Sequence, residues 1–428
     1  MRHELPESSR VAVIGGGVSG LTAAYLMSKR YEVTLFEAAP RIGGHTFTVP
    51  VETERGVQPV DMGFIVFNEP NYPNFVRLMS ELGVESRPSE MSFSVRVEAS
   101  GLEYRATSLD TLFAQRRNLL SPSFHHMLAD ILRFRRHSRD LLVNGNGNGN
   151  GSGRGPTLDE YVRQGGYSRA FWENFLMPMG SAIWSATPEV MERFPAAYLA
   201  QFFHHHGFLE TSGAPAWRTL VGGSKAYLEP ITRPFAERIR LGEPVRAVRR
   251  FADRVEVRAD SGTERFDHVF IAAHSDEALA MLADPSPVEV ETLGAIPYQP
   301  NDTSLHTDER FLPRNVRARA SWNYVVPKSP SRRANVTYYS NRLQGIDSTT
   351  NFLVTLNRNE DIRAESVRES VTFHHPIYSA AGVGAQKRFS EMNGCNRTSY
   401  CGAYWGFGFH EDGVASAVEA VKPYGVGL

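Results

Sequence analysis

Apolar and polar positions at the start of the chain follow the patterns of strands and helices in turn. An apolar run at 11–14 is long enough for one buried parallel strand. Helical spacing of apolar residues follows from Leu21 to Met27, and a second strand pattern covers 32–36. A strand, a helix and a strand in this order predict a βαβ unit with a parallel sheet.

Two later stretches have strand patterns. Residues 244–273 alternate as antiparallel strands and end in a buried strand at 268–273. From 291 to 385 aromatic and polar positions are mixed, which suits a substrate-facing sheet as well as a plain aromatic core. The aromatic residues on these strand patterns are Trp322, Tyr324, Tyr338 and Tyr339.

A further stretch, 124–142, has the apolar spacing of an amphipathic helix and carries arginines at 133, 135, 136 and 139. A basic amphipathic helix can lie on an anionic membrane or contact an acidic partner. A helix that packs on the core with a solvated basic edge has the same pattern. Both interpretations stay open, and with them peripheral membrane contact.

Composition restricts the classes of protein that these elements can build. The chain has 428 residues, enough for two or three domains, and its formal net charge of −1 gives no global electrostatic case for nucleic-acid binding. Its two cysteines, Cys395 and Cys401, form no CxxC pair, which favours a reduced, cytoplasmic compartment. No apolar run approaches 18 residues, so we expect no transmembrane helix.

The loop after the first strand carries the first chemical signal, GGGVSG, with glycines at 15, 17 and 20. Gly15 permits the tight turn out of the strand, Gly17 lets a pyrophosphate approach the backbone, and Gly20 lets the helix pack close to the sheet. The phosphates would then lie at a helix N-terminus. Glu37, after the second strand, can accept hydrogen bonds from ribose hydroxyls, so the set predicts a dinucleotide site.

Two more motifs extend this site beyond the needs of a nicotinamide dinucleotide. RIGGH at 41–45 offers Arg41 for bidentate contact with phosphate, and a glycine pair that keeps side chains out of the way. DMGF at 61–64 indicates another turn against the cofactor. No second dinucleotide fingerprint occurs, so a built-in NAD(P)H domain is not expected. The longer dinucleotide that fits is FAD.

These motifs resemble those of the flavin amine oxidase and phytoene desaturase superfamily. The matching segments are GGGVSG (15–20), Glu37, RIGGH (41–45), DMGF (61–64), the glycine pair 222–223 and GFHEDGV (408–414). Two stretches, 298–313 and 399–414, make the chain most similar to a bacterial FAD-dependent amine oxidoreductase group that is associated with cyclopropane fatty acid synthases.

The resemblance implies a fold and a division into domains. The fold is α/β, with a Rossmann-type, glutathione-reductase-like FAD-binding domain and a discontinuous α+β substrate domain built on a mixed sheet. The low-complexity tract 144–155 is expected to be a flexible loop of the substrate domain. The division is 1–75, 213–290 and 386–428 for the FAD-binding domain, and 76–212 and 291–385 for the substrate domain.

The resemblance also places the C-terminal motif against the flavin ring. A helix pattern begins at this motif, so N–H groups of the helix start can face the part of the ring that becomes negative on reduction. Asp412 is a helix-capping candidate, the His410 position contributes its backbone N–H, and Val245 matches the position whose backbone meets the adenine. The residues expected to bind FAD are Gly15, Gly17, Val18, Ser19, Gly20, Glu37, Ala38, Arg41, Gly43, Gly44, His45, Met62, Gly63, Phe64, Val245, Gly402, His410, Glu411, Asp412, Gly413 and Val414.

The chain departs from the superfamily pattern in three places. His45 replaces an arginine that many amine oxidases carry, and is a weaker and titratable phosphate partner. Gly402 is followed by Ala403 where many members have glutamate. The third departure is a missing lysine, since no residue matches the lysine that many amine oxidases place near flavin N5. The missing lysine counts against amine oxidation and leaves FAD binding unaffected.

Catalytic residues stay unassigned at this stage, with three candidates: His306, Tyr324 and Tyr404. Tyr404 lies with Trp405 in the zone of the superfamily's aromatic cage. The adjacent histidines 204–206 cannot easily converge on one ion, because consecutive side chains point in different directions, so no metal is expected.

The leading hypothesis is an FAD-dependent oxidoreductase that transfers a hydride from a C–H of a small-molecule or lipid substrate to flavin N5, as amine oxidases do. One alternative is a flavin-dependent fatty-acyl or isoprenoid desaturase or isomerase. Another is a non-catalytic flavin-binding redox partner. An amine requires a short aromatic cage and a lipid a long apolar tunnel, so the shape of the cavity separates the first two hypotheses.

Overall fold

The computed structural model describes residues 5–144, 155–209, 215–328 and 333–428. The tract expected to be a flexible loop falls, except for its two end residues, on 145–154, outside the described residues. In the described part, the strands in chain order are β1 (Arg10–Ile14), β2 (Glu32–Phe36), β3 (Thr48–Thr53), β4 (Gly56–Asp61), β5 (Phe67–Asn68), β6 (Ser86–Pro88), β7 (Phe93–Val97), β8 (Leu102–Arg105), β9 (Trp217–Leu220), β10 (Ile239–Arg240), β11 (Val245–Arg250), β12 (Val255–Ala259), β13 (Gly262–Phe266), β14 (His268–Ile271), β15 (Tyr298–His306), β16 (Trp322–Val326), β17 (Val336–Tyr339), β18 (Leu353–Leu356), β19 (Val367–Pro376) and β20 (Thr398–Tyr400).

Helices connect and cover these strands. In chain order they are α1 (Val18–Ser28), α2 (Pro73–Glu81), α3 (Leu109–Leu112), α4 (Pro122–His137), α5 (Arg139–Asn144), α6 (Leu158–Gln164), α7 (Arg169–Phe171), α8 (Met177–Trp184), α9 (Pro188–Glu192), α10 (Ala196–His205), α11 (Leu228–Thr232), α12 (Ser275–Met281), α13 (Pro287–Leu293), α14 (Ser340–Leu343), α15 (Ala380–Gln386), α16 (Phe389–Met392) and α17 (His410–Val421). None of the helices in the described ranges is long and apolar enough to cross a bilayer.

One of the two halves of the molecule is built on a five-stranded parallel sheet, with the strand order β10-β2-β1-β14-β20. The predicted βαβ unit is confirmed, with β1 pairing with β2 and α1 between them in the chain. The expectation for 244–273 is wrong at its end. Only β11, β12 and β13 form an antiparallel sheet, whereas β14 lies parallel to β1. Every residue of β14 is buried, which is the environment of a central strand in a covered parallel sheet.

The other half of the molecule contains the predicted mixed sheet. Its order is β19-β15-β18-β17-β16-β7-β8, with β16 and β7 parallel and the other neighbours antiparallel. It draws on residues 93–105 and 298–376, while the parallel sheet draws on segments from both ends of the chain. The division into two discontinuous domains remains a prediction, and the small sheet β5-β9-β6 combines strands from both proposed parts.

Helices α4 and α6–α10 cover the mixed sheet with an aromatic core. In α4 the side chains of Phe124, Met127, Ile131 and Phe134 are buried in this core. One of the two interpretations of this helix, a core-packed face, is therefore correct. Of the arginines on this helix, Arg136 is exposed, whereas Arg133 and Arg135 are partly buried.

Candidate functional site

A cavity of about 1590 Å³ extends between the two halves of the molecule. This exceeds the roughly 300–1000 Å³ of an ordinary single-ligand pocket. We call the part at the ends of β1 and β2 the nucleotide end. Its opposite part, the apolar arm, is lined by Leu112, Leu128, Ile131, Phe175, Met179, Ile183, Phe202, Phe203 and Phe208. The arm reaches the surface at a mouth formed by Thr107, Ser108, Leu109, Leu132 and Arg135.

The three glycines of the first loop differ in the space that surrounds them. Gly15 has a φ of +105°, and a Cβ there would lie 2.7 Å from the Ala272 carbonyl oxygen. A Cβ on Gly20 would lie 1.9 Å from the Gly15 oxygen, so only glycine allows α1 to pack this closely. At Gly17, which lines the cavity, a Cβ would meet no protein atom within 4 Å. The chain leaves open space where the pyrophosphate is expected.

Glu37 lies at the edge of the cavity and is held by the backbone on both sides. One carboxylate oxygen accepts a hydrogen bond from Gly16 N–H at 2.6 Å and the other from Ala39 N–H at 2.8 Å. These bonds fix the carboxylate beside the first loop, where a ribose would lie. Ala38 and Val245 line the cavity next to it.

The RIGGH segment folds directly onto the first loop. Gly43 N–H donates to the Gly16 carbonyl at 2.8 Å, and the backbones of Gly17 and Gly43 form a β-bridge. The Arg41 guanidinium donates to the Gly44 carbonyl at 3.1 Å and lies 4.2 Å from the centre of the Phe47 ring. The two glycine loops thus form one surface at the nucleotide end.

Histidines line the middle of the cavity in neutral form. The His45 ring stacks on Phe373 of β19 with 4.7 Å between ring centres, and lies 5.2 Å from the His375 ring. Burial, and then the nearby His375, hold the pKa of His45 well below its usual range. Burial also lowers the pKa of His375 to about 4. The lowered pKa favours the neutral imidazole, and contact of His45 with a phosphate stays a prediction.

The start of α17 closes the middle of the cavity from the other side. The His410 ring stacks on Phe64 at 3.7 Å between centres, and its Nε2 lies 3.1 Å from Thr46 Oγ1. Burial lowers the pKa of His410 to about 3. The imidazole therefore connects α17 to the loops that carry the glycine motifs, while Gly408 and Phe409 line the cavity beside it.

Asp412 acts as a cap within α17. Its carboxylate accepts a hydrogen bond from Phe409 N–H at 2.9 Å, so it occupies one of the free donors of the helix start. Burial raises its pKa to about 7, against the opposing effect of hydrogen bonds from the backbone. Near neutral pH the Asp412 carboxyl therefore carries less than a full negative charge.

Fourteen of the residues expected to bind FAD line the cavity: Gly15, Gly17, Val18, Ser19, Glu37, Ala38, Arg41, Gly44, His45, Gly63, Phe64, Val245, Gly402 and His410. Their contacts with the cofactor remain predictions. The other seven support the walls from behind, and are Gly20, Gly43, Met62, Glu411, Asp412, Gly413 and Val414. Among these, Glu411 accepts hydrogen bonds from Asn74 and Phe75, and a Cβ on Gly413 would lie 2.8 Å from Ser19 Oγ in α1.

Two of the three catalytic candidates lie away from the cavity. His306 is buried in the mixed sheet, with Nε2 2.7 Å from Thr355 Oγ1 and Nδ1 accepting from Asp308 N–H. Tyr324 lines a separate, smaller pocket beside Pro178 and Arg333. Both expectations are therefore corrected, because the sheet directs these side chains elsewhere. Tyr404 does line the cavity and is almost fully buried.

The sequence pattern missed several lining residues. His374 and His375 on β19 reach the cavity, and a histidine pair at the end of a long strand is a weak signal that could have indicated them. Nothing in the sequence marked the lining side chains of α8 and α10, since they look like ordinary core residues. Among the described residues, no group of three or more His, Cys, Asp or Glu side chains is arranged to hold a metal ion.

The family model for flavin containing amine oxidoreductases matches residues 18–367. The chain belongs to this family. The recognition from the motifs is thereby confirmed, and FAD is the cofactor of the family.

Curated relatives match this chain over a short segment. Flavin-containing amine oxidase A of Canis lupus familiaris is 43% identical over 77 residues, which is 18% of this chain and 14% of that protein. Coproporphyrinogen III oxidase of Mycobacterium tuberculosis is 40% identical over 81 residues, 18% of this chain and 16% of that protein. The match thus spans about one seventh of the relatives' length.

Solved structures match over nearly the whole chain and show the fold. Cyclohexylamine oxidase from Brevibacterium oxydans superposes with a TM-score of 0.69 at 15% identity, over 97% of this chain and 98% of that chain. A CLA-producing fatty acid isomerase from P. acnes has a TM-score of 0.67 at 16% identity, over 98% and 100% of the two chains. The fold of this family member is therefore the FAD-dependent amine oxidase type.

The described residues fit FAD in shape and charge. The cavity is larger than one ordinary ligand needs, it begins at two glycine loops, and Gly17 leaves open space at the N-terminus of α1. Residues of the glycine loops would hold the phosphates, and the neutral wall formed by His45, Phe64 and His410 would face the flavin ring.

Proposed function

We propose that this flavin oxidoreductase acts on a C–H bond of a long apolar substrate, a fatty-acyl or isoprenoid chain. The observation that carries the proposal is the apolar arm, which continues from the nucleotide end to the mouth beside α3 and α4. Amine oxidases and a fatty acid isomerase share this fold, so the fold alone is compatible with either substrate class. A long apolar passage favours the chain-like substrate.

The distribution of charge along the cavity supports the same choice. Among the described lining residues, the acids are Glu37, Glu243 and Glu277, and all three lie at the nucleotide end. The charged side chain at the other end is Arg135, at the mouth. A cationic polyamine would find no carboxylate among the described residues of the arm, whereas a chain with an anionic head group would have its head near an arginine and its tail among apolar side chains.

Bound FAD supplies the hydride acceptor for such a reaction. The chain itself positions the substrate, because the aromatic walls of α8 and α10 leave an apolar path to the middle of the cavity. Free N–H groups at the start of α17 favour negative charge that develops beside them. His45, His375 and His410 are neutral there, so this wall contributes hydrogen-bonding rings without fixed charge.

Anaerobic reduction of the bound flavin tests the proposal. The holoenzyme is mixed with unsaturated and saturated fatty acids, isoprenoid alcohols, and short primary amines, and the loss of oxidised-flavin absorbance is followed. Bleaching by the long-chain compounds supports the proposal. Bleaching by short amines alone, or by none of the compounds while FAD is tightly bound, contradicts it; the last result indicates a redox partner without turnover.

A variant in the arm makes this test specific. Leu128→Trp places a larger side chain in the passage, and we expect kcat/KM for the longest substrate to fall about tenfold or more, as expected when a pocket rejects bulk by about 1–3 kcal/mol. Shorter chains of the same class should be affected less. Ala129→Trp is the matched control, because residue 129 is the next position of α4 and is not part of the cavity lining. Equal effects of the two substitutions would contradict the arm as the substrate path.

A further inference from the structure

Exposed hydrophobic side chains are concentrated around the mouth of the apolar arm. Among the described residues, nine large hydrophobic side chains are strongly exposed, and five of them are Leu109, Leu119, Leu120, Leu132 and Val316. Leu120 is 88% exposed and Leu109 is 76% exposed. Clustered exposed apolar residues on one part of a surface mark an interaction site, whereas scattered ones do not.

These side chains belong to elements that contact one another. Leu109 begins α3 and lines the mouth together with Leu132 of α4. The Leu119 carbonyl lies 2.9 Å from His125 Nε2 at the start of α4. The turn that contains Val316 packs on α3, where Arg317 Nε lies 4.0 Å from Asp110 Oδ2. We call this set of five exposed side chains the mouth patch.

The segment that carries most of the patch is strongly basic. Residues 109–139 contain six arginines and two aspartates, with no lysine or glutamate. The arginines are Arg116, Arg117, Arg133, Arg135, Arg136 and Arg139. Part of this charge is compensated, since Arg116 pairs with Asp110 and Arg133 with Asp130. Arg135 and Arg139 have interactions of their own as well, and the segment as a whole has four more arginines than aspartates in a chain whose net charge is −1.

We propose that the mouth patch docks on the surface of an anionic phospholipid bilayer, so that the apolar arm opens toward the lipid. Exposed leucines flanked by arginines match an interface in which apolar side chains enter the acyl boundary and cations meet lipid phosphates. The arm's apolar lining begins at the same residues, Leu109 and Leu132, so a hydrophobic substrate would pass from bilayer to cavity without crossing water. This docking needs no membrane-spanning segment.

Vesicle flotation of the FAD-loaded full-length chain tests the docking directly and needs no turnover, so it is independent of the proposed reaction. The probes are phosphatidylcholine vesicles with and without about 30% phosphatidylglycerol, at about 0.15 M salt. We expect flotation with the anionic vesicles, at least tenfold weaker flotation with the neutral ones, and release as the salt is raised. A protein that stays unbound to both compositions overturns the proposal.

Two double variants separate the apolar from the electrostatic contribution. The first combines Leu119→Ser and Leu120→Ser, which lie outside the cavity lining, and should lower partitioning onto anionic vesicles at least tenfold. The second combines Arg117→Gln and Arg136→Gln, and should lower this partitioning mainly at low salt. Leu241→Ser is the control, because Leu241 is 46% exposed on the nucleotide half. Melting temperature and FAD content verify that each variant is folded. Flotation of both double variants at the wild-type level would overturn the proposal. It would also be overturned if the wild-type protein bound no vesicles and instead formed a dimer that the leucine substitutions dissociate.

Discussion

The two ends of the cavity are built in different ways. At the nucleotide end the wall is backbone, and its decisive positions are glycines, where a side chain is absent. Gly15 and Gly20 bring β1 and α1 together, and Gly17 leaves room for a ligand. In the apolar arm the wall is made of ordinary side chains from α4, α8 and α10. One end is specified by short local motifs and the other by volume and polarity summed over distant segments.

This difference explains what each end can tolerate. A change at the nucleotide end alters either the backbone path or the space of the cofactor, so its effect is nearly all-or-none. A change in the arm alters the length or width of a passage, so its effect is graded and depends on the substrate. We therefore expect the largest losses at the nucleotide end and the smallest in the arm.

Gly17→Val should abolish FAD occupancy and leave the chain folded. The residue has an ordinary φ of −75°, and a Cβ there would meet no protein atom within 4 Å, so we expect the added side chain to enter the space expected for the pyrophosphate. Flavin absorbance per mole of purified protein measures the loss. Gly384→Val is the control, since a Cβ on Gly384 would also meet no protein atom within 4 Å. A fully yellow Gly17→Val protein would contradict the position of the pyrophosphate.

Glu289→Ala should lower the free energy of unfolding by about 3 kcal/mol, because the buried Arg250 then keeps only the partly exposed Asp284 as its ion-pair partner. Both side chains are 2% exposed, Arg250 donates to the carboxylate at 2.7 and 3.0 Å, and the Tyr400 hydroxyl donates to it at 2.6 Å. This buried polar network belongs to the nucleotide half, whereas the described lining of the arm is mainly apolar.

Denaturation in urea measures that loss, with Glu291→Ala as its control on the same helix, α13. Glu291 pairs with Arg388 on the surface, so its removal should cost less than about 1 kcal/mol. Similar losses for Glu289→Ala and Glu291→Ala would show that burial of the pair does not matter.

Acidification should lower the free energy of unfolding by a smaller amount through His206, another residue of the cavity lining. Burial lowers the pKa of His206 to about 4, below its usual value of 6.5, and its Nδ1 lies 3.0 Å from the Phe202 carbonyl. Between these two pKa values the unfolded chain binds a proton that the folded chain does not, so stability falls as the pH decreases from 6.5 towards 4. In His206→Gln the decline of melting temperature over this range should be shallower than in the wild type. His204→Gln, an exposed neighbour on α10, should leave the decline unchanged.

The nucleotide end could be predicted from the sequence because its determinants lie within a few residues of one another. GGGVSG, Glu37 and RIGGH each specify a turn or a charge locally, and the family match confirms the recognition that they support. The same local reasoning places the start of a helix at the C-terminal motif, where α17 begins at His410.

The rest depended on long-range pairing that a single sequence does not reveal. Tyr324 falls on a predicted strand and His306 lies in β15, but the direction of each side chain depends on the register with β17 and β18, and that register turns them away from the cavity. The prediction for β14 is wrong for the same reason, because its apolar run fits either an antiparallel sheet or a central parallel strand. The arm could not be predicted for a further reason. Met179, Ile183 and Phe203 are apolar residues, and the sequence does not distinguish those that line a cavity from those that fill a core.

The order of strands in the parallel sheet has a consequence for synthesis. Strand β1 pairs with β14, which is made much later in the chain, and β20 joins β14 only when residue 400 is available. Helix α17, which packs on α1 through Gly413, is made later still. Residues 11–37, which carry the first glycine loop and Glu37, must therefore wait for residues 398–421 before that site is complete. Such long-range contacts make folding slow and leave apolar edges uncovered in the nascent chain, so we expect this protein to depend on chaperones during translation and to acquire FAD only after residue 421 has been made.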